Sequence, residues 1–536
     1  MLFGNPGTTE LPLMDALRDG GTRLRYVLGL QEAAVMAMAD GYAQASGRLC
    51  AVNVHVAPGL GNALGMLYDA QKAGAPLLVT AGQHDASFVL SEPILWADLP
   101  RIARPFVKWS TEVHRLADLP TAVHRAAKTA LAPPTGPVFL SLPADVLNSE
   151  GELDLGEPTR VGAGIRGDRQ AIAKAAEALA SAERPVLVAG DGVAQSSALA
   201  EMVELAELLG APVYAEFVPS RASFPSSHPL FAGSMQRLAP QVRKILERHD
   251  VLFSVGGDLF ALSLPSDVDP IPPGLTILHL DTDPWEVGKN YTARAAIFGD
   301  PKATLPDLIE ELRERLGGAR QASVRARREQ MQSAIAAERT KLKEKARSVA
   351  AQTPIHPLAL IDTIAELLPA DTVVVDEAIS SSVGLRSLVR SDDPQSFFGL
   401  RGGGIGWGLP AAVGVKLALP SRPVVALIGD GSVLYTIQAL WTAAHERVAV
   451  VSVIFNNAEY RILKQRLDLF HTAQGEGGPR YVGMDLTDPP VDFVSLARGF
   501  GVDGERVTTL AEVREALAAG LAANAPRLID VVIGRP

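Results

Sequence analysis

One cysteine in 536 residues, Cys50, leaves no partner for an internal disulfide, so the chain lacks the covalent staples of a small secreted fold. Cys50 stands between the charged end of a helix-like stretch and the apolar run from Ala51 to Val56, a place suited to a buried core thiol. No apolar run reaches the eighteen or so residues that a membrane span needs. Met1 is followed almost at once by Asn5, Pro6 and Gly7 in place of a basic and then hydrophobic leader, and the expected location is the cytoplasm. Positive charge is short as well: 50 Lys and Arg against 60 Asp and Glu give a net charge of -10. That balance removes a bulk attraction to nucleic acid or anionic lipid and leaves small-molecule chemistry as the better expectation.

What is present is an ordinary globular composition, 47% apolar and 21% charged with 48 glycines spread along the chain. The length exceeds what one hydrophobic core can serve, so several domains are expected. Short apolar runs, each followed by a helix-like stretch, recur at Leu24 to Leu30, Cys50 to Val56, Pro76 to Ala81, Pro137 to Leu142 and Pro185 to Ala189. That is the strand, turn, helix rhythm of parallel α/β sheets. Two joints interrupt it: Glu150 to Asp168 is Gly-rich and aperiodic, and Glu310 to Val349 is dense in Arg, Lys, Glu and Gln and reads as solvated helix. The expected fold is therefore α/β with three doubly wound domains of mainly parallel sheets, at 1–155, 168–305 and 354–536, with a charged helical linker at 306–353. Ligands belong at the carboxyl ends of such strands.

The sharpest pattern lies in the third block. The run Pro423 to Ile428 ends in Gly429-Asp430-Gly431-Ser432, a helix is expected from Tyr435 to His445, and the run Val448 to Phe455 ends in Asn456-Asn457. Consecutive strands of a βαβ unit are usually neighbours, so Asp430 and Asn457 can meet at one sheet edge and offer a carboxylate and an amide oxygen to a hard cation. Gly431 and the amides after it can cradle an anion. Magnesium diphosphate is the ligand this chemistry suggests. Either motif alone also reads as a turn or a loop.

Together, Gly-Asp-Gly after one strand and Asn-Asn after the next, with 27 residues from Asp430 to Asn457, resemble the thiamine diphosphate-dependent 2-oxo acid decarboxylase and acetolactate synthase superfamily. The resemblance runs over nearly the whole chain. It implies a pyrimidine-binding first domain, a central domain and a diphosphate-binding third domain. It further implies that Asp430, Asn457 and the main-chain carbonyl of Glu459 bind Mg2+, with Ca2+ as a substitute, and that Ser380, Gly431, Ser432 and Tyr435 meet the diphosphate. The run Gly402-Gly403-Gly404-Ile405-Gly406-Trp407-Gly408 misses the dinucleotide fingerprint and is similar to the superfamily's cofactor bend. There the Gly403 carbonyl would hold the exocyclic amine and Ile405 would wedge between the two rings; dense glycine also serves close packing.

From position alone, Glu32 in the first turn of a helix expected from Gln31 to Ala45 is a favourable charge near a helix dipole. The resemblance makes it the acid that bonds the pyrimidine nitrogen and moves its proton. His55, in Asn53-x-His55-x5-Gly61-Asn62-Ala63 with Gly4-Asn5-Pro6-Gly7-Thr8 upstream, resembles benzoylformate decarboxylases. In that group a serine at the position of Thr8 grips the substrate carboxylate and the histidine moves protons. Ser263 falls where their second histidine would stand, and aromatic character is thin around Gly399-Leu400-Arg401 and Tyr460 to Leu463.

In the central block, Gly190-Asp191-Gly192, Gly256-Gly257-Asp258 and Asp281 form no complete nucleotide fingerprint, so FAD is not expected there; His84, His279 and His356 receive no role. The resulting expectation is a lyase that decarboxylates a 2-oxo acid to an aldehyde, with carboligation possible. An acetolactate synthase-like carboligase is the nearer alternative and a flavin-containing oxidase the more distant one. The resemblance also implies a homodimer as the minimal active unit, paired into a homotetramer.

Overall fold

In the computed structural model, which describes residues 1–18, 24–474 and 480–534, the apolar runs become strands whose side chains are buried on both faces, the signature of parallel sheets covered by crossover helices. The chain forms two compact units: residues 1–161, 349–383 and 400–536 make the first, and 162–348 with 384–399 make the second.

The first unit holds two sheets. One is built from β1 (Leu2–Gly4), β2 (Tyr26–Leu28), β3 (Cys50–Val54), β4 (Leu77–Gln83), β5 (Ser110–Glu112) and β6 (Val138–Pro143), in the order β2-β1-β3-β4-β6-β5. Phe3 of β1 is paired with Val27 on one side and Val52 on the other. The strand order reverses at β1, so the residues that follow β1, β2 and β3 gather at one crevice, the place where open α/β sheets take ligands. Cys50 is a free, buried thiol whose pKa burial pushes up.

The other sheet of this unit contains β13 (Val373–Glu377), β15 (Val424–Gly429), β16 (Val451–Asn456), β17 (Asp503–Val507) and β18 (Arg527–Val532), in the order β13-β15-β16-β18-β17. Glu377 at the end of β13 lies level with Ile428, and Gly429 at the end of β15 is level with Phe455. The two halves of the unit meet where the helix Glu32–Ser46, almost wholly buried, crosses the helix Gly408–Ala418. A Cβ on Gly414 would run into the main chain of Met38, so glycine sets how closely the two helices approach. Thr442 adds a hydroxyl bond of 2.9 Å to the Leu28 carbonyl.

The second unit carries β7 (Pro185–Ala189), β8 (Val213–Ala215), β9 (Phe231–Ser234), β10 (Val251–Val255), β11 (Thr276–Asp281) and β12 (Ala295–Phe298), ordered β12-β11-β10-β7-β8-β9. The helix Pro301–Arg315 lays Leu305, Leu308, Ile309 and Leu312 on its core. The charged stretch that follows is a 30-residue helix, Ala319–Ser348. It is tethered as well as solvated: Arg327 donates to the Leu209 carbonyl and Arg339 to those of Ser226 and Phe231. At the switch between β7 and β10 the loops touch directly, with the Gly192 amide 2.7 Å from the Gly256 carbonyl. The Asp191 carboxylate there accepts the amides of Ser220 and Arg221, and His279 sits between the Gly257 carbonyl and the Gly288 amide. Among the described residues no helix is long and apolar enough to cross a membrane.

Candidate active site

Two polar clusters stand at the carboxyl ends of the strands of the first unit. The first belongs to the β1, β2 and β3 crevice. Glu32 opens its helix after Gln31, whose side-chain oxygen caps the amides of Ala33 and Ala34. The Glu32 carboxylate is 7% exposed and is held from two sides, Asn5 donating to Oε1 at 3.3 Å and Asn62 to Oε2 at 3.0 Å. Both asparagines lie within motifs read from the sequence, although neither was given a role there.

His55 occupies the N-cap of the helix Val56–Lys72, and Val56 behind it has φ +40°, a strained value for a β-branched residue. The imidazole Nδ1 lies 2.9 Å from the Glu10 carboxylate. Glu10 is 1% exposed and also accepts the amides of Gly7 and Gly82. The hydroxyl beside His55 belongs to Thr9, 3.3 Å from Nδ1, whereas Thr8 is exposed. Glu10 escaped sequence reasoning because its partners are 45 and 72 residues away.

The second cluster sits beyond β13, β15 and β16. Asp430, 3% exposed, accepts the amides of Gly431 at 2.8 Å and Ala458 at 2.6 Å, so the loop bearing Asn457 closes directly onto its carboxylate. Burial pushes the Asp430 carboxyl up to about 6 against these amide bonds. The Asn457 side-chain oxygen accepts the Glu459 amide at 3.0 Å. The Glu459 side chain turns inward to the buried Lys464, which also pairs with Asp485. Residues 458 and 460 are further pinned by main-chain bonds to Leu486 and Met484. Among the described residues no group of three His, Cys, Asp or Glu side chains is placed to hold a metal. What Asp430, Asn457 and the main chain at Glu459 offer instead is a few oxygens, the donor set of an ion that completes its shell with phosphate and water.

Ser432 is buried two residues beyond Asp430, and Ser380 is half-buried just past β13. Tyr435 is 54% exposed and packs over Gly406. Gly403 has φ +88° and faces open space, while Ile405 is half-buried beside it. The residues at this edge thus fit a magnesium diphosphate head and a ligand that passes over Gly403. Ser263 lies in the second unit, exposed, with its amide on the Arg237 carbonyl.

Gly59, against Glu32, and Asp69, against Gly404, are ten residues apart on one helix, which is about 15 Å at 1.5 Å per residue.

Three family models match the chain: the thiamine pyrophosphate enzyme N-terminal TPP binding domain at residues 1–96, the central domain at 172–308 and the C-terminal TPP binding domain at 380–531. The chain is 35% identical to a benzoylformate decarboxylase of Pseudomonas aeruginosa, covering 99% of this chain and 95% of that protein. It is 30% identical to the acetolactate synthase isozyme 3 large subunit of Escherichia coli, over 97% of this chain and 89% of that one. Among solved structures, a thiamine diphosphate-dependent 4-hydroxybenzoylformate decarboxylase of Rhodococcus jostii RHA1 superposes with a TM-score of 0.87 at 34% identity, covering 100% of this chain and 96% of that chain. A benzoylformate decarboxylase of Polynucleobacter necessarius gives 0.87 at 31% identity over 100% and 96%.

Proposed function

Because this chain belongs to the thiamine pyrophosphate enzyme family, among the 2-oxo acid decarboxylases and their relatives, we propose that it is a thiamine diphosphate- and Mg2+-dependent lyase converting a 2-oxo acid, of the benzoylformate type, to an aldehyde. When bound, thiamine diphosphate supplies a thiazolium ring that accepts the electron pair released as carbon dioxide departs. The remaining work falls to side chains of this protein.

Asp430, Asn457 and the Glu459 carbonyl would hold the metal, and Ser380, Ser432 and the Gly431 amide the diphosphate. Tyr435 stands at its outer edge. The Gly403 carbonyl would receive the exocyclic amine, and Ile405 would set the fold of the cofactor. Glu32 holds and moves the proton at the pyrimidine nitrogen, with Asn5 and Asn62 fixing both of its oxygens. His55 moves protons at the substrate, and Thr8 grips the substrate carboxylate. The observation that carries the decarboxylase reading is the buried Glu10 behind His55: a carboxylate that fixes Nδ1 leaves Nε2 as the working atom of an oriented acid and base.

As membership of the family implies, the site is shared between subunits, Glu32 of one chain facing the bend of another. A two-fold homodimer is then the smallest active unit, and pairing of dimers gives a tetramer. A lone, buried cysteine suits a cytoplasmic setting.

An acetolactate synthase-like carboligase is the second reading, favoured by the full-length similarity to such synthases. A panel of 2-oxo acids, assayed with thiamine diphosphate and Mg2+ for both aldehyde and hydroxyketone, separates the two: aldehyde as the main product supports the lyase, and hydroxyketone in its place refutes it. A flavin-containing oxidase would need the central crevice, where the Gly192 and Gly256 backbones touch. A colourless purified protein is the outcome expected.

A further inference from the structure

The glycine run 402–408 is surrounded by buried carboxyl groups from three different elements. Asp69, near the end of the helix Val56–Lys72, accepts the Gly404 amide on Oδ1 at 3.0 Å. Its Oδ2 is buried with no hydrogen-bond partner. Glu377, the last residue of β13 and 1% exposed, accepts the Gly406 amide on Oε1 at 2.5 Å and the Gly408 amide on Oε2. It also takes a bond from the Ser432 hydroxyl. Asp40 receives the indole N–H of Trp407 at 2.6 Å. From the other side, the Thr436 hydroxyl donates to the Gly406 carbonyl.

The order along the chain is what matters. The residue before Ile405 is held by Asp69 and the residue after it by Glu377, so the main chain on either side of the Ile405 side chain is fixed by an acceptor that belongs to the rest of the fold. The glycines make room for this: a Cβ at 404 would stand 2.6 Å from the Asp69 carboxylate, and one at 408 would stand 2.9 Å from Glu377. Gly403 alone among these glycines faces open space. Glu377, through Ser432, also joins the bend to the loop proposed for the diphosphate.

We infer that Glu377 and Asp69 are positioning residues that hold the bend, with Ile405 at its apex, in the shape the cofactor requires before the cofactor arrives. This rests on the thiamine diphosphate reading above. A preorganised loop spares the ligand the cost of ordering it, so loss of either clamp should appear in cofactor affinity of the folded protein.

The chemistry of the two clamps makes the inference specific. Glu377 uses both oxygens as acceptors, so Glu377→Gln turns an N–H against an amide N–H and breaks one arm. Asp69 uses one oxygen, so Asp69→Asn keeps its bond to Gly404 and Asp69→Ala loses it. The measurement is the dissociation constant of thiamine diphosphate, titrated at saturating Mg2+ into chelator-stripped full-length protein by tryptophan fluorescence. Hydrogen exchange at the amides of 404, 406 and 408 accompanies it.

Glu377→Gln and Asp69→Ala are expected to weaken binding by about tenfold or more, as leaving a buried amide without its acceptor does, with faster exchange at the amides each one releases. Asp69→Asn should bind like the parent. Equal affinity in all four proteins, with only the melting temperature lowered, would mean that these carboxyls are merely structural and would overturn the inference. Should Glu377→Gln fail to fold, the Asp69→Ala and Asp69→Asn pair decides alone: equal affinities overturn the inference. A parent protein that shows no binding at all refutes the cofactor reading itself, a result distinct from loss in the variants only.

Discussion

Nδ1 of His55 lies 2.9 Å from the carboxylate of Glu10, a side chain 1% exposed that is itself locked by the amides of Gly7 and Gly82. A buried acceptor with four donors, the Thr9 hydroxyl among them, leaves the imidazole one ring orientation and points its other nitrogen away from Glu10. His55 is therefore expected to act on substrate and not on the cofactor. His55→Ala should lower kcat by about a hundredfold or more, the usual worth of a positioned acid and base, while the thiamine diphosphate dissociation constant stays at the parent value. Equal loss of both would make His55 a structural residue.

Glu10→Gln tests the same pair from behind. It keeps the volume but removes one acceptor, so the ring loses its anchor while the crevice keeps its shape. The expected result is a kcat lowered by about tenfold, a part of the acid and base contribution, with KM and cofactor affinity little changed. A drop in cofactor affinity as large as the drop in kcat would show that Glu10 holds the crevice and not the ring.

A third expectation concerns pH. Burial pushes the Asp69 carboxyl up to about 8 and that of Glu377 up to about 7. An acid whose folded pKa exceeds its unfolded one holds extra protons in the folded state, so its contribution to stability is complete below the unfolded pKa and fades as pH rises through the folded value. The melting temperature of the cofactor-free protein should therefore fall as pH is raised from about 4 to 8, and Asp69→Asn should flatten that slope. A slope unchanged in Asp69→Asn contradicts the assignment.

Assembly provides a fourth. Glu32→Gln and Asp430→Asn chains, each inactive alone, are unfolded or dissociated and reassembled together. In a mixed dimer with shared sites one site inherits both defects, while the other combines an intact Glu32 with an intact Asp430. Activity should reappear on mixing. Mixed dimers that demonstrably form yet stay inactive would place each cofactor within a single chain.

Much of the architecture was legible because strand burial writes itself locally. The runs at Cys50, Pro76, Pro137 and Pro185 are strands within a residue or two of where apolar composition put them, and the helix expected from Gln31 to Ala45 runs from Glu32 to Ser46, ended by Gly47 at φ +64°. The helix expected from Tyr435 to His445 begins at Ala439, after a separate turn of helix at Asp430–Val433. Local propensity does not reveal that break, because it depends on Tyr435 and Thr436 packing over Gly406.

The clamps were harder to read. Asp69 meets Gly404 across 335 residues and Asp40 meets Trp407 across 367, so no window of sequence contains either pair. Glu377 stands three residues before Ser380, a residue singled out in the sequence, yet a glutamate at a strand end looks the same whether it points to water or into a ring of amides. The one available signal was the surplus of glycine at 402–408, more than a single bend requires.

The central claim, decarboxylation that depends on thiamine diphosphate and a divalent ion, is tested most directly by carbon dioxide release. Protein dialysed against chelator, freed of cofactor and given benzoylformate should release none, because Asp430 and Asn457 provide too few ligands to hold a diphosphate without the ion. Adding Mg2+ and thiamine diphosphate together should restore release with stoichiometric benzaldehyde, neither alone should do so, and Glu32→Gln should stay silent under the same conditions. Full release from protein shown to lack both metal and cofactor, or none across a panel of 2-oxo acids after both are restored, would contradict the account.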